Sequence, residues 1–308
     1  MEVIRNIEDF PKLENAVVTS GTFDGVHIGH QKILHRLTEL ARQTDGKSVV
    51  ITYWPHPRLV LFPDDNQLKL LSTIEERIAC LREFGVDYLL IIPFTKEFSR
   101  LSSQRFIREI LVNTIGTKRL VIGYDHRFGK NREGSFEHLK AHASQYGFEV
   151  EEIPREDVDD VGVSSTKIRK ALEAGDIETA TLYLGRPYTL TGTVTEGDKL
   201  GRTIGYPTAN ISVREPHKLI PAQGVYAVKV QVLGQQCKGM LNIGTRPTVG
   251  GTRPTIEVNI FDFTDDIYGK ELTLNFIAHL RPEQKFNGLE ELQAQLSSDK
   301  AQAIKLLA

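Results

Sequence analysis

Two histidines three residues apart, His27 and His30, follow a glycine-bearing turn, Gly21-Thr22-Phe23-Asp24-Gly25-Val26. A β-rich run, Ala16-Val17-Val18-Thr19, precedes the turn, and apolar residues at helical spacing follow it: Ile33, Leu34, Leu37, Leu40 and Ala41. The order reads as strand, tight turn, helix start. A helix N-terminus offers unpaired backbone N–H groups and a partial positive charge, which suits a phosphate. With a helix beginning near His27, both imidazoles share one face, where they could stabilise charge developing on a triphosphate under attack. The same residue types are equally compatible with two surface histidines near a helix start.

A second phosphate-type run is Gly162-Val163-Ser164-Ser165-Thr166-Lys167-Ile168-Arg169. Its three hydroxyls can cap a helix or donate to phosphate oxygens. A helix places Ser165 and Arg169 on one face, and arginine adds a forked donor matched to phosphate. Alone, the run reads as well as an ordinary Ser/Thr cap before a solvated basic turn.

A third run, Gly192-Thr193-Val194 leading into 197–210, is rich in glycine, at 192, 197, 201 and 205. Glycine there permits close backbone approach to a ligand. Pro207 biases Tyr206 toward an extended conformation. Thr208 and Asn210 then point the same way, and their neutral oxygens suit Mg²⁺ when phosphates supply the negative ligands. A plain glycine-rich barrel turn explains the same residues.

These runs need two different scaffolds. From 16 to about 183, Val/Ile/Leu-rich runs at 17–20, 48–53, 88–93, 119–123 and 148–153 alternate with helical patterns at 28–42, 74–84, 103–113, 136–146 and 165–172. That alternation predicts a doubly wound α/β sheet, with ligands bound beyond the carboxyl ends of the strands. After Leu184-Gly185-Arg186-Pro187 the period becomes two. Val228, Val230 and Val232 alternate with Lys229 and Gln231; Ile256, Val258 and Ile260 with Glu257 and Asn259; Leu272, Leu274 and Phe276 with Thr273 and Asn275. This predicts antiparallel strands in a small barrel or sandwich. A closing helix carries Leu289, Leu292, Leu296, Ile304 and Leu307. The boundary falls near 183–188, giving domains 1–185 and 186–308.

Composition bounds the partners. The chain has 308 residues, 40% hydrophobic and 25% charged, with a net charge of -2. No basic surplus is available to hold a polyanion, so nucleic acid is not expected. No stretch reaches ~18 apolar residues, so no membrane span is expected either. Two cysteines, Cys80 and Cys237, give neither a disulfide framework nor zinc spacing. Cys80 lies in a helical pattern with Ile74, Ile78 and Leu81 and suits an apolar role. The chain reads as cytoplasmic, and nothing in it points to a protein partner.

The first two runs together resemble the adenylyltransferase half of the bacterial bifunctional riboflavin kinase/FAD synthetase family. The match extends through Pro55-His56-Pro57, Gly85-Val86-Asp87-Tyr88 and 123–134, which opens Gly123-Tyr124-Asp125-His126-Arg127-Phe128-Gly129. The resemblance implies a nucleotidyltransferase-type α/β domain in which His27, Gly29 and His30 hold the α- and β-phosphates of ATP. It implies Ser164, Ser165, Thr166 and Arg169 on the outer phosphates and leaving pyrophosphate, and Asp125 and Phe128 near flavin and ATP. Gly21 and Phe23 complete the expected nucleotide contacts. The reaction implied is in-line attack of the FMN phosphate on the α-phosphorus of ATP, governed by positioning, charge neutralisation and Mg²⁺.

The third run resembles the riboflavin kinase signature, with its Pro207-Thr208-Ala209-Asn210. That match continues through Gly224-Val225-Tyr226, 242–248, Ile256-Glu257-Val258, Tyr268-Gly269-Lys270 and 280–286. It implies a six-stranded antiparallel barrel with a terminal helix. Glu257 is implied as the base for the ribityl 5′-hydroxyl, Thr208 and Asn210 as holders of Mg–ATP, Gly201 as a nucleotide contact, and Arg281 as a neighbour of the flavin. The family commonly has an aromatic residue where His126 stands and often a histidine where Asn259 stands.

The small-molecule partners implied are riboflavin, FMN, FAD and ATP. The tetrapeptide His27-Ile28-Gly29-His30 also occurs in class I aminoacyl-tRNA synthetases, but this chain has no Lys-Met-Ser-Lys-Ser sequence and no basic surplus for tRNA. A flavin-binding protein with decayed sites is the reading from another class. It sits poorly with the presence of Thr208, Asn210, Glu257, His27, His30 and Arg169.

Overall fold

The computed structural model describes residues 1–64, 68–123, 129, 136–153, 162–197, 200–248 and 251–308. By its contacts the chain divides into two units, Met1–Ser164 and Ser165–Ala308.

The first unit is built on six parallel strands: β1 (Glu2–Ile4), β2 (Ala16–Ser20), β3 (Lys47–Trp54), β4 (Tyr88–Pro93), β5 (Thr117–Gly123) and β6 (Glu149–Ile153). Their order is β1-β4-β3-β2-β5-β6, so the chain winds outward in both directions from β2, as a doubly wound sheet does. Helices α1 (Ile28–Gln43), α2 (Pro57–Leu61), α3 (Ile74–Glu83), α4 (Ser103–Arg105) and α5 (Phe136–Tyr146) connect the strands. Successive strand residues serve opposite faces. Val17, Val50, Leu89 and Val121 pack against Leu34, Leu37 and Leu40 of α1 and Cys80 and Leu81 of α3. Val18, Ile51, Leu90 and Ile122 pack against Phe106, Ile110 and Leu111 on the other side. Burial on both faces is why these strands are continuous apolar runs.

Several elements of this unit differ from the sequence expectation, the short α2 among them. The helix expected over 103–113 starts as α4 and widens into i→i+5 turns at Phe106–Ile115. It closes on Gly116, left-handed at φ 81°, whose N–H meets the Leu111 carbonyl. The apolar spacing at 106, 107, 110, 111 and 115 serves either winding, so it could not separate them. The edge strand β1 has three residues, too few for a visible period, and pairs Glu2 with Tyr88.

The second unit opens with helices α6 (Ser165–Glu173) and α7 (Ile177–Leu184). A closed barrel follows: β7 (Tyr188–Thr195), β8 (Ala209–Ser212), β9 (Gly224–Val232), β10 (Gln235–Thr248), β11 (Gly251–Ile260) and β12 (Glu271–Arg281), in the order β10-β11-β8-β7-β12-β9. Every neighbouring pair is antiparallel. Closure removes the exposed edges. The period of two is realised as burial of Val228, Val230, Val232, Leu272, Leu274 and Phe276 between more exposed polar neighbours. A short α8 (Leu200–Thr203) lies between β7 and β8. The closing helix, α9 (Leu289–Leu306), sets Leu296 and Ala303 over Ala227, Met240 and Phe261. On β12, His279 lies 4.9 Å from the Tyr226 ring with its Nε2 buried and without a hydrogen bond among the described residues.

Candidate active sites

At the end of β2 the chain enters the turn expected to meet phosphate. Phe23 (φ 49°), Gly25 (φ 80°) and Val26 (φ 41°) all occupy the left-handed region. That conformation is costly for phenylalanine and costlier for a β-branched valine, so the surroundings must hold it. They do so through Asp24, which is 1% exposed. Its carboxylate accepts from the N–H groups of Leu71 and Ser72 at 3.0 Å each and from the Ser72 hydroxyl at 3.2 Å. The Gly25 N–H donates back to the Ser72 hydroxyl at 3.1 Å.

The buried carboxylate faces a buried cation. Arg77 of α3 has no exposed surface, and its Nη2 lies 3.9 Å from Asp24. Its Nη1 donates to the Thr52 hydroxyl at 3.2 Å, which donates on to the Thr22 carbonyl at 3.1 Å. The guanidinium lies 5.7 Å from the Trp54 ring centre. Burial lowers the Arg77 pKa, and the Asp24 charge opposes that shift. Arg77 thus reaches both ends of the turn. Sequence reading missed it, since an arginine in an amphipathic helix carries no mark of being inside.

Beyond the turn, α1 begins as expected. His27 caps the helix, its Nδ1 accepting from the His30 N–H at 3.4 Å. The two rings stack at 3.7 Å, 16° apart, and Phe23 lies 5.1 Å from the His30 ring. The first turn of α1 carries no acidic residue, so nothing on the helix itself opposes an anion there. Gly21, Phe23, His27, Gly29 and His30 therefore form one cluster. Asp125, His126 and Phe128 lie outside the described residues.

Ser165 and Thr166 open α6, anchored by buried Ile168 and Leu172. Ser164, Ser165 and Arg169 are half-buried and Thr166 is exposed. One helical turn brings Ser165 and Arg169 to a common face.

In the barrel, Thr208 and Glu257 come together although 49 residues apart: the Thr208 hydroxyl donates to Glu257 at 3.3 Å. Asn210 pairs with Glu257 across β8 and β11, which puts their side chains on one face. Hydroxyl, amide and carboxylate thus converge as an all-oxygen set of the kind hard cations accept. Among the described residues no three His, Cys, Asp or Glu cluster as a metal site; a cation here would draw on these oxygens and on phosphate. Beside them opens a cavity of about 480 Å³ lined by Arg202, Pro207, Thr208, Val258, Asp265 and Tyr268, a size suited to a small ligand.

The glycines of this segment answer to the chain itself. A methyl on Gly197 would run into the Asn210 amide, and one on Gly201 into the Tyr206 carbonyl. Arg281 is held by Asp299 of α9, with Nε at 3.0 Å and Nη2 at 2.8 Å from its carboxylate oxygens, and lies 5.7 Å from the Phe286 ring. Its donors toward Asp299 are engaged in tying β12 to α9.

The FAD synthetase family model matches residues 9–167, and the riboflavin kinase family model matches 184–307. A bifunctional riboflavin kinase/FMN adenylyltransferase of Escherichia coli K12 is 40% identical over 306 residues, 98% of this chain and 97% of its own length. One from Listeria monocytogenes is 42% identical over 286 residues, covering 92% and 90%. A solved structure from Streptococcus pneumoniae, described as a macrolide-efflux protein, superposes with a TM-score of 0.88 at 33% identity over 97% of both chains. No helix among the described residues is long and apolar enough to cross a membrane.

Proposed function

The chain belongs to the bifunctional riboflavin kinase/FMN adenylyltransferase family, and from that premise we propose how its residues divide the two reactions. It phosphorylates riboflavin to FMN with ATP, and it adenylylates FMN to FAD with release of pyrophosphate. The functional boundary is placed at 185/186, with the adenylyltransferase before it and the kinase after it.

Glu257 takes the proton of the ribityl 5′-hydroxyl as that oxygen attacks the γ-phosphorus of ATP, whose bond to the β,γ-bridging oxygen breaks to release ADP. A carboxylate in this role must come within ~3 Å of the hydroxyl. Thr208 and Asn210 hold Mg–ATP, and the metal, when bound, neutralises charge on the phosphates. Gly201 keeps the nucleotide segment close-packed, and Arg281 borders the flavin through its hold on the last strand. The observation that carries this reading is the Thr208–Glu257 contact, which unites the two halves of the kinase signature at one point.

In the adenylyltransferase, a phosphate oxygen of FMN attacks the α-phosphorus of ATP and pyrophosphate departs on the opposite side. His27, Gly29 and His30 at the α1 N-terminus receive the α- and β-phosphates, with Gly21 and Phe23 shaping the pocket wall. Ser164, Ser165, Thr166 and Arg169 take the outer phosphates, and Asp125 and Phe128 contact flavin and ATP. No covalent nucleophile is required. The work is positioning and charge neutralisation. Cys80 and Cys237 carry no disulfide, in keeping with a cytoplasmic place of work.

The test is a time course. Purified protein is given riboflavin, ATP and Mg²⁺, and the flavins are separated by chromatography. FMN should rise and then give way to FAD. FMN that accumulates without FAD would remove the adenylyltransferase assignment, and FAD formed only from supplied FMN would remove the kinase assignment.

A further inference from the structure

Asn259 stands two residues past Glu257 on β11, so the strand gives both side chains to one face. Unlike its polar neighbours along the strand it is buried, with 6% of its surface exposed. A buried amide requires a partner. Its Nδ2 donates to the Pro207 carbonyl at 2.6 Å.

That bond falls where the backbone ladder ends. The pairing of β11 with β8 runs from Glu257↔Asn210 to Ala209↔Val258 and stops. Pro207 has no N–H with which to extend it. The Asn259 side chain supplies the next tie in place of the backbone. The next residue, Thr208, donates its hydroxyl to Glu257. A closed ring results, with Pro207 and Thr208 on one side and Glu257, Val258 and Asn259 on the other. Without the Asn259 bond, one end of the segment carrying Thr208 loses its fixed point.

We propose that Asn259 is a positioning residue for riboflavin phosphorylation: its amide fixes the Pro207 carbonyl and thereby holds the Thr208 hydroxyl on the Glu257 carboxylate. The proposal rests on the reading of Thr208 and Glu257 as kinase residues given above. Amide chemistry makes it specific. Aspartate has nearly the same shape but brings an acceptor against the carbonyl, alanine leaves the carbonyl without its donor, and histidine returns a ring N–H.

The experiment uses the full chain, with steady-state kinetics of both reactions measured on each preparation. Asn259→Asp should lower kcat for riboflavin phosphorylation by about 10- to 100-fold, the scale of a sub-ångström to ångström misplacement. It should raise KM for ATP and leave KM for riboflavin within about twofold. FMN adenylylation by the same preparation should stay within about twofold, and calorimetry should show the barrel melting within a few degrees of the parent, which certifies its folding. Asn259→Ala should show the same split more weakly, and Asn259→His should recover much of the rate. In a Thr208→Ala background, Asn259→Asp should cost almost nothing further, because residues acting through one contact are non-additive. Equal losses in both backgrounds would overturn the proposal. So would unchanged kinase kinetics in the Asp and Ala variants, or loss of both activities together in each. Normal phosphorylation by the Thr208→Ala chain alone would instead sink the Thr208 assignment, and the tether with it.

Discussion

The turn before α1 and the segment before β8, to both of which we assign phosphate, are fixed by opposite means. The first is held by buried charge: Asp24 gathers three donors from Leu71 and Ser72, and Arg77 balances it from beneath. The second is held by neutral contacts: the Asn259 amide on Pro207, and glycines at 197 and 201 that let the chain fold close on itself. Strain explains the difference. The first turn forces Phe23 and Val26 into left-handed backbone, and a charge-centred network is strong enough to over-determine that shape. The segment before β8 makes its left-handed turn at Gly205 (φ 83°), where that backbone costs little, and needs only a substitute for the bond proline cannot make. The first device is therefore the more brittle, since breaking a buried pair strands a charge, whereas breaking a neutral bond leaves one unsatisfied carbonyl.

The sharpest test of the division exchanges the two activities. Glu257→Ala should reduce riboflavin phosphorylation by about 10²- to 10⁴-fold while FMN adenylylation persists. His30→Ala should reduce adenylylation by about 10²- to 10³-fold and spare the kinase. Either variant losing both activities without unfolding would break the assignment of a separate site to each activity. Next in size is Arg77→Met, which leaves Asp24 buried without its cation and should destabilise the first unit by about 3–5 kcal/mol. Calorimetry should show this, and Asp24→Asn added to Arg77→Met should recover part of it if the pair is coupled. Gly201→Ala should cost about 1–3 kcal/mol, the usual scale of overpacking, and should raise KM for ATP in the kinase reaction only.

The smallest expected effect is on pH dependence. Burial lowers the His279 pKa from the ordinary 6.5, against a hydrogen bond with the Arg281 backbone that raises it. The unfolded chain therefore takes this proton first as pH falls. The stability that neutral His279 supports is complete above about pH 6.5 and is lost as pH drops through that value toward the folded pKa. Melting at about pH 7.5 and 5.5 should show a decrease that His279→Gln reduces. An undiminished slope in that variant would assign the effect to other groups.

Much of this was legible in the chain. Most strand and helix positions followed from period, and His27 and His30 share the start of α1 as their spacing predicted. What escaped was long-range pairing between residues with no local signal. Arg77 reads as a surface residue of an amphipathic helix, and Asn259 as the polar half of an alternating strand. Only the folded chain shows the first beneath a strained turn and the second replacing a missing rung. The wide helix at 106–115 escaped for another reason, because its apolar spacing is shared by two windings.

The cap on α1 has a consequence for the proton of His27. Its Nδ1 accepts from a backbone N–H, so a neutral ring in this position must be the Nε2–H tautomer. Whatever His27 meets beyond Nε2, it meets as a donor without needing to be charged. The helix start thus selects between two forms that are nearly balanced in free imidazole, and ¹⁵N shifts of the labelled ring would report which one prevails.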